Sequence, residues 1–249
     1  MKVIDRVTST QYGVKAYWER RAETPDALAA RFVRTIDSLQ AIDPVFALWT
    51  CGSKRPKKFE AMRDRYAEEV AAGLTKDDWG EPLPIYGYWF GALTRGQARD
   101  RSFFLSVHAG STYPHPFAND ITFLSHHNSI PDPAVIAYEI FKPVLLAIVE
   151  AWDPVCCTSY PLAILNLVEK SIYFHQTWIQ YLCPWLASLV VTPPPAPMIV
   201  EHLPDGGLLM SATTETFDVE NPAHMAAARD IAAAIAPLNA LPWAERARA

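Results

Sequence analysis

Nowhere in these 249 residues is there a run of the ~20 uninterrupted apolar residues that a membrane-spanning helix needs. The opening MKVIDRVTSTQYGVKAYWERR also lacks the apolar stretch of roughly 7–15 residues and the small-residue cleavage site of a secretory leader. A cytoplasmic protein with no membrane partner is therefore expected. Cysteine is scarce: Cys51, Cys156, Cys157 and Cys183 form no CxxC pair and two are adjacent, which predicts buried thiols in a reducing compartment rather than a disulfide framework.

Signatures of phosphate binding and hydrolysis are missing too. No GxGxxG or GxxxxGK[ST] supplies a phosphate cradle, and no HExxH or GxSxG appears. The string HAGS at 108–111 lacks the strand-turn-helix context that exposes a serine nucleophile. His126 and His127, weighed with His115 and Asp120 as metal ligands, are neighbours on an expected strand and so point to opposite faces. No metal, cofactor or catalytic residue is assigned. An enzyme using His108, His126 or Cys51 is the alternative, and it requires one of them within hydrogen-bond reach of a carboxylate.

What is abundant is apolar surface. Half the residues are hydrophobic, with 8 Trp, 10 Tyr and 11 Phe. At roughly 25 cal/mol for each Å² removed from water, this sustains a sizeable core and excludes disorder over most of the chain. One domain over 1–249 is expected, with a mainly helical part at 1–80, a strand-rich core at 81–220 and a closing helix at 221–238.

The net charge of −5 is unevenly spread. Residues 1–101 carry 17 basic against 14 acidic side chains, whereas 102–228 carry two basic residues, Lys142 and Lys170, against 11 acidic ones, a net of −9. Such a field repels nucleic acid and steers a basic protein toward it. The one basic block, KRPKK at 54–58, precedes a helix with balancing acids, so no nucleic-acid partner is expected.

Local patterns give the elements. Thr24 before Pro25 reads as an N-cap with proline at the first helical position, and Leu28, Phe32, Ile36 and Leu39 follow on one face of a helix that ends before Asp43-Pro44. Phe59, Met62, Tyr66 and Val70 form a stripe on a second helix, about 57–72, ending at Gly73. Strands follow at 85–93, 102–110 and 120–128. The aromatics Tyr86, Tyr88, Trp89 and Phe90 are explained as an apolar strand. Asp132-Pro133 opens a helix to about Ala151 that Pro143 kinks or divides, and VCCTSY at 155–160 is another strand. TWIQYLCPWLASLVV, apolar on every face, stays unassigned. Beyond the proline-rich connector at 192–197, Asp205-Gly206-Gly207 turns a hairpin. Asn221-Pro222 caps a final helix with Met225, Ala228, Ile231, Ile235 and Leu238 inward. The fold class is α+β: a mostly antiparallel sheet of about five to seven strands with helices packed mainly on one face.

An ordered set of short motifs resembles the immunity protein 52 family of bacterial polymorphic toxin systems. It runs from Asp43-Pro44-Val45-Phe46, Trp49 and Gly52 through Tyr88-Trp89-Phe90-Gly91 and Ala151-Trp152-Asp153-Pro154. Trp178 with Tyr181-Leu182, Pro204-Asp205-Gly206-Gly207, Phe217 and Asn221-Pro222-Ala223-His224 complete it. The resemblance implies an antitoxin that neutralises a secreted, restriction-endonuclease-like nuclease toxin, of a kind commonly delivered by type VI secretion. An interaction scaffold without a toxin partner is the other non-enzymatic reading. The candidate toxin-binding carboxylates are Glu201, Asp205, Glu215, Asp218 and Glu220, in a stretch (171–228) without Lys or Arg, followed by Asp120 and Asp153.

Overall fold

The computed structural model describes residues 10–52, 56–115, 117–127, 129–167, 174–190 and 198–241. The proline-rich connector, Lys170 and the first nine residues lie outside them. Ten strands form one antiparallel sheet: β1 (Tyr12–Trp18), β2 (Trp49–Cys51), β3 (Lys57–Lys58), β4 (Tyr88–Thr94), β5 (Phe103–Ala109), β6 (Asn119–Ser125), β7 (Cys156–Pro161), β8 (Ile179–Leu182), β9 (Ile199–His202) and β10 (Leu208–Ser211). Their order is β3-β2-β4-β5-β6-β1-β7-β8-β10-β9. Five α-helices accompany them: α1 (Pro25–Ile42), α2 (Tyr66–Ala72), α3 (Tyr138–Trp152), α4 (Pro184–Ala187) and α5 (Pro222–Ile235).

The expected count of five to seven strands is corrected to ten, and the additions have simple causes. β2 and β3 are three and two residues long, too short for alternation to show. β8 is buried at all four positions, which is why its segment shows no polar face. β1 is a miss of another kind. Val14, Ala16 and Trp18 are buried while Lys15 and Tyr17 are half-exposed, a period-two pattern that the sequence displays openly.

The helices differ in detail. Thr24 caps α1 as expected, its hydroxyl accepting from the Ala27 N–H at 3.3 Å. The stripe Phe59, Met62, Tyr66 and Val70 is buried, yet only residues 66–72 are α-helical. Two 3-10 turns precede them, and spacings of three and four residues suit either geometry. Asp132 caps a 3-10 turn, and α3 begins at Tyr138 and runs unbroken across Pro143. Phe141, Val144, Leu145 and Ile148 of this helix are fully buried. At about 1.5–3 kcal/mol each, that burial outweighs the ~3 kcal/mol a helical proline costs.

The core lies between α1, α2 and α3 and one face of β4-β5-β6-β1-β7. Phe141 packs against Tyr12, Phe103, Phe123 and Trp178. Trp18 lies on Trp152, whose indole N–H donates to Thr35 Oγ1 of α1 at 2.8 Å. Glu23, with its side chain 8% exposed, pairs with Arg21 and Arg31, and these donate to the last α3 carbonyls, Trp152 O at 3.0 Å and Ala151 O at 2.8 Å. Cations at a helix carboxyl end satisfy its orphan carbonyls and oppose its dipole. At the β8–β10 end both faces are covered: Ile179 and Leu209 on one face and Leu182 and Met210 on the other are fully buried, and Gln180 is 3% exposed.

Truncating Phe141 to Ala is expected to lower unfolding free energy by about 3–5 kcal/mol, read as a shifted urea midpoint at unchanged slope. Alkaline pH tests the same core. Burial, the largest cause, pushes the Tyr12 and Tyr160 phenols up to about 12 and raises the Cys51 and Cys157 thiols. These groups stay protonated when folded at pH values where the unfolded chain has ionised them. Their stabilisation is therefore whole below their unfolded values and lost as pH rises through the folded ones. The urea midpoint should hold to roughly pH 8 and decline steadily toward pH 12. Tyr12→Phe, which removes the hydroxyl's 2.7 Å bond to Phe217 O, should cost about 1 kcal/mol near neutrality and flatten that decline.

Candidate functional site

The candidate carboxylates do not form one patch. Glu201 is held by Lys142 of α3, whose ammonium donates to both oxygens at 2.6 and 2.8 Å. Asp205 builds the β9–β10 turn: Oδ1 accepts from the Gly207 N–H at 2.8 Å and Oδ2 from the Tyr181 hydroxyl at 3.0 Å, while Gly206 supplies φ +86°. Burial first, and then that Asp205 bond, pushes the Tyr181 phenol far up. Asp153, in the left-handed conformation at φ 50°, ends α3 and is close enough to contribute to the same shift.

Glu215, Asp218 and Glu220 gather at the other end of the hairpin, past Ser211. The His224 ring joins two of them. Its Nδ1 accepts from the Asp218 N–H at 3.1 Å, and its Nε2 lies 3.2 Å from Glu215 Oε2. Asp218 Oδ1 accepts from the Glu220 N–H at 2.9 Å. All three acids are exposed. Glu201 and Asp205 are spent largely on the fold.

Asp120 stands elsewhere, on the sheet face opposite the helices. Strand register lays out rows across it. Trp89, His108, Asp120 and Tyr17 form one row, Gly91, Ser106, Thr122 and Lys15 the next, and Leu93, Phe104 and Leu124 the third. Trp89 and Leu93 are half-exposed and Phe104 is 39% exposed. Trp89 stacks on His108 with centroids 4.2 Å apart and planes 9° from parallel. The row of small residues makes a hollow. Gly91 is required there, because a Cβ would sit 2.3 Å from Leu105 O. A groove of ≈ 360 Å³ follows, lined by Thr50, Glu69, Gly73, Trp89, Leu93 and Phe104 among others. Past Leu93 and Phe104 a second hollow of ≈ 360 Å³ reaches Gln11, His126 and His127.

Sequence reasoning explained Trp89 as an ordinary apolar strand residue and Glu69, with Glu68, as part of a solvated helix face. The available signal was parity. Phe90 and Ala92 face the core, so Trp89, Gly91 and Leu93 must face away from it.

The geometry gives nucleophilic chemistry little support. Burial, followed by the Glu69 charge, raises the Cys51 thiol, and its Sγ contacts Lys57 O at 3.8 Å. His108 Nε2 is engaged by Tyr86 O, and its Nδ1 stands 3.8 Å from Asp120 Oδ2, beyond hydrogen-bond reach. Burial, then His127 and Arg99, lowers the His126 imidazole. Among the described residues no group of three His, Cys, Asp or Glu is placed to hold a metal, and no helix is long and apolar enough to cross a membrane.

Comparison with known proteins adds what geometry alone does not. A search of curated sequences returns no match. The fold is similar to a solved structure described as Pseudomonas aeruginosa T6SS protein PA0821, with a TM-score of 0.55 and 11% identity over 90% of this chain and 76% of that one. At that identity the likeness concerns the fold. The family model described as immunity protein 52 matches residues 10–240, from β1 to the turn after α5 and so across all ten strands; the chain belongs to the immunity protein 52 family.

Proposed function

We propose that this protein is a cytoplasmic antitoxin that binds and neutralises a secreted nuclease toxin, sparing producer and sister cells. The observation that carries this reading is the family match over the entire sheet. The toxin class follows from the resemblance and from charge: a nuclease needs a basic groove for phosphates, and the acidic stretch from 102 to 228 complements one. A restriction-endonuclease-like toxin fits both. Delivery by type VI secretion is consistent with the description of the similar fold. Inhibition proceeds by occlusion, with no bond made or broken by this chain.

Within this reading the exposed carboxylates Glu215, Asp218 and Glu220 speed encounter. Exposed charges act over about a Debye length, ~10 Å at 0.1 M salt, and change association more than dissociation. Asp205 and Glu201 are poor places to test the idea, because substitution there also removes a turn or an ion pair.

Cells expressing the cognate nuclease toxin should survive when this protein is co-expressed and die without it; equal killing in both would end the antitoxin reading. The triple variant Glu215→Lys/Asp218→Lys/Glu220→Lys should associate with a catalytically dead toxin roughly tenfold more slowly at low salt and nearly normally above ~0.5 M. An association rate that ignores the three reversals removes that patch.

A further inference from the structure

We propose that the groove between α2 and β4 is the socket for a basic side chain, an arginine in particular, carried on a protruding segment of the toxin. The inference rests on the antitoxin reading above and names the contact that reading leaves open.

Backbone packing makes the groove. Gly73 ends α2 directly against β4, where its carbonyl accepts from the Trp89 N–H at 2.8 Å. A Cβ at Gly73 would meet Trp89 O at 1.9 Å, so the contact needs glycine. β2 pairs with β4 only from Ala92 onward, and the gap beside Phe90 and Gly91 opens between strand and helix.

The lining is selective. Glu69 contributes a half-buried carboxylate; burial is the main cause that raises Cys51 and Tyr66, and the nearby Glu69 charge adds to both. Neither can answer it: the Tyr66 hydroxyl donates to Gly91 O at 3.2 Å and the Cys51 thiol is directed to Lys57 O. Among the described residues no cation lies within salt-bridge distance of Glu69. Around it stand Ala72, Leu93 and Phe104, with Trp89 at the rim. His108 covers one face of the Trp89 ring.

An uncompensated carboxylate beside an indole matches a planar cation on an aliphatic stem. The guanidinium pairs with the carboxylate and lies over the free indole face, and the methylenes pack on Leu93 and Phe104. Neutral or acidic side chains would bury Glu69 unpaired, at a cost in affinity. The surroundings fit an interface. Trp89, Leu93 and Phe104 continue past His108 to the stacked, partly exposed pair Tyr86 and Tyr113. The aromatics are 36–51% exposed and so offer roughly 55–130 Å² each, which with Leu93 puts this apolar area within the roughly 300–600 Å² typical of a monomer's largest patch. It supplies much of the ~800 Å² per partner that a stable complex buries. Trp and Arg are the residue types most enriched at the centres of such contacts.

The test uses the full chain and a catalytically dead form of the cognate nuclease toxin, with affinity measured by calorimetry and unfolding followed for each variant. Glu69→Gln keeps the shape and removes the charge, and Trp89→Leu removes the indole. Each should weaken binding roughly tenfold or more, chiefly through faster dissociation, at an unchanged melting temperature. Wild-type binding with both variants equally tight overturns the socket and leaves the antitoxin reading standing; no wild-type binding overturns both. Loss with Trp89→Leu alone makes the occupant apolar and rejects the cation. A wild-type dimer in sedimentation that Trp89→Leu abolishes assigns the face to a second copy of this chain and rejects the toxin contact.

Discussion

The fold turns on β1. The sheet is two antiparallel halves, β3-β2-β4-β5-β6 and β7-β8-β10-β9, and β1 alone lies between them, paired with β6 on one side and β7 on the other. Without it each half would expose an apolar strand edge, which is an invitation to association. Its inward side chains Val14, Ala16 and Trp18 are at most 2% exposed, and Trp18 reaches Trp152 at the end of α3. A strand near the amino end of the described chain closes a sheet whose neighbours lie more than a hundred residues later, so the contacts that define the architecture are distant in sequence.

Closure on one side leaves the other side open. α1 and α3 pack against the face carrying Phe90, Leu105, Phe123 and Val14, and the opposite rows of β4, β5, β6 and β1 keep Trp89, Leu93 and Phe104 half out in solvent. An exposed apolar face is a liability unless something docks there. Under the proposal made above, a bound toxin would cover that face.

Much was legible because it is local. The caps at Thr24 and Asn221, the apolar faces of α1 and α5, the hairpin turn at Asp205-Gly206-Gly207 and the strands β4 to β7 follow from short-range rules of capping, periodicity and turn chemistry. The acidic bias of residues 102–228 was equally plain, but its division was not. Glu201 meets Lys142 across 59 residues and Asp205 meets Tyr181 across 24, and no spacing announces such partners. Grouping the five carboxylates from Glu201 to Glu220 by nearness in sequence therefore mixed fold-building acids with exposed ones.

By itself the sequence determined the class of protein: α+β, rich in buried aromatics, negatively charged over its second half, with a motif order that resembles one immunity family. Those properties are sums over residues or patterns within a few turns of chain. Tertiary structure alone decided that the sheet has ten strands closed by β1, that among the described residues helices shield one face of β4-β5-β6 and not the other, and that Glu69 and Trp89, twenty residues apart, share a groove. The reason is that a side chain's environment is set by which distant strand it is paired with, and pairing is fixed by packing of the whole core rather than by any segment's own preference.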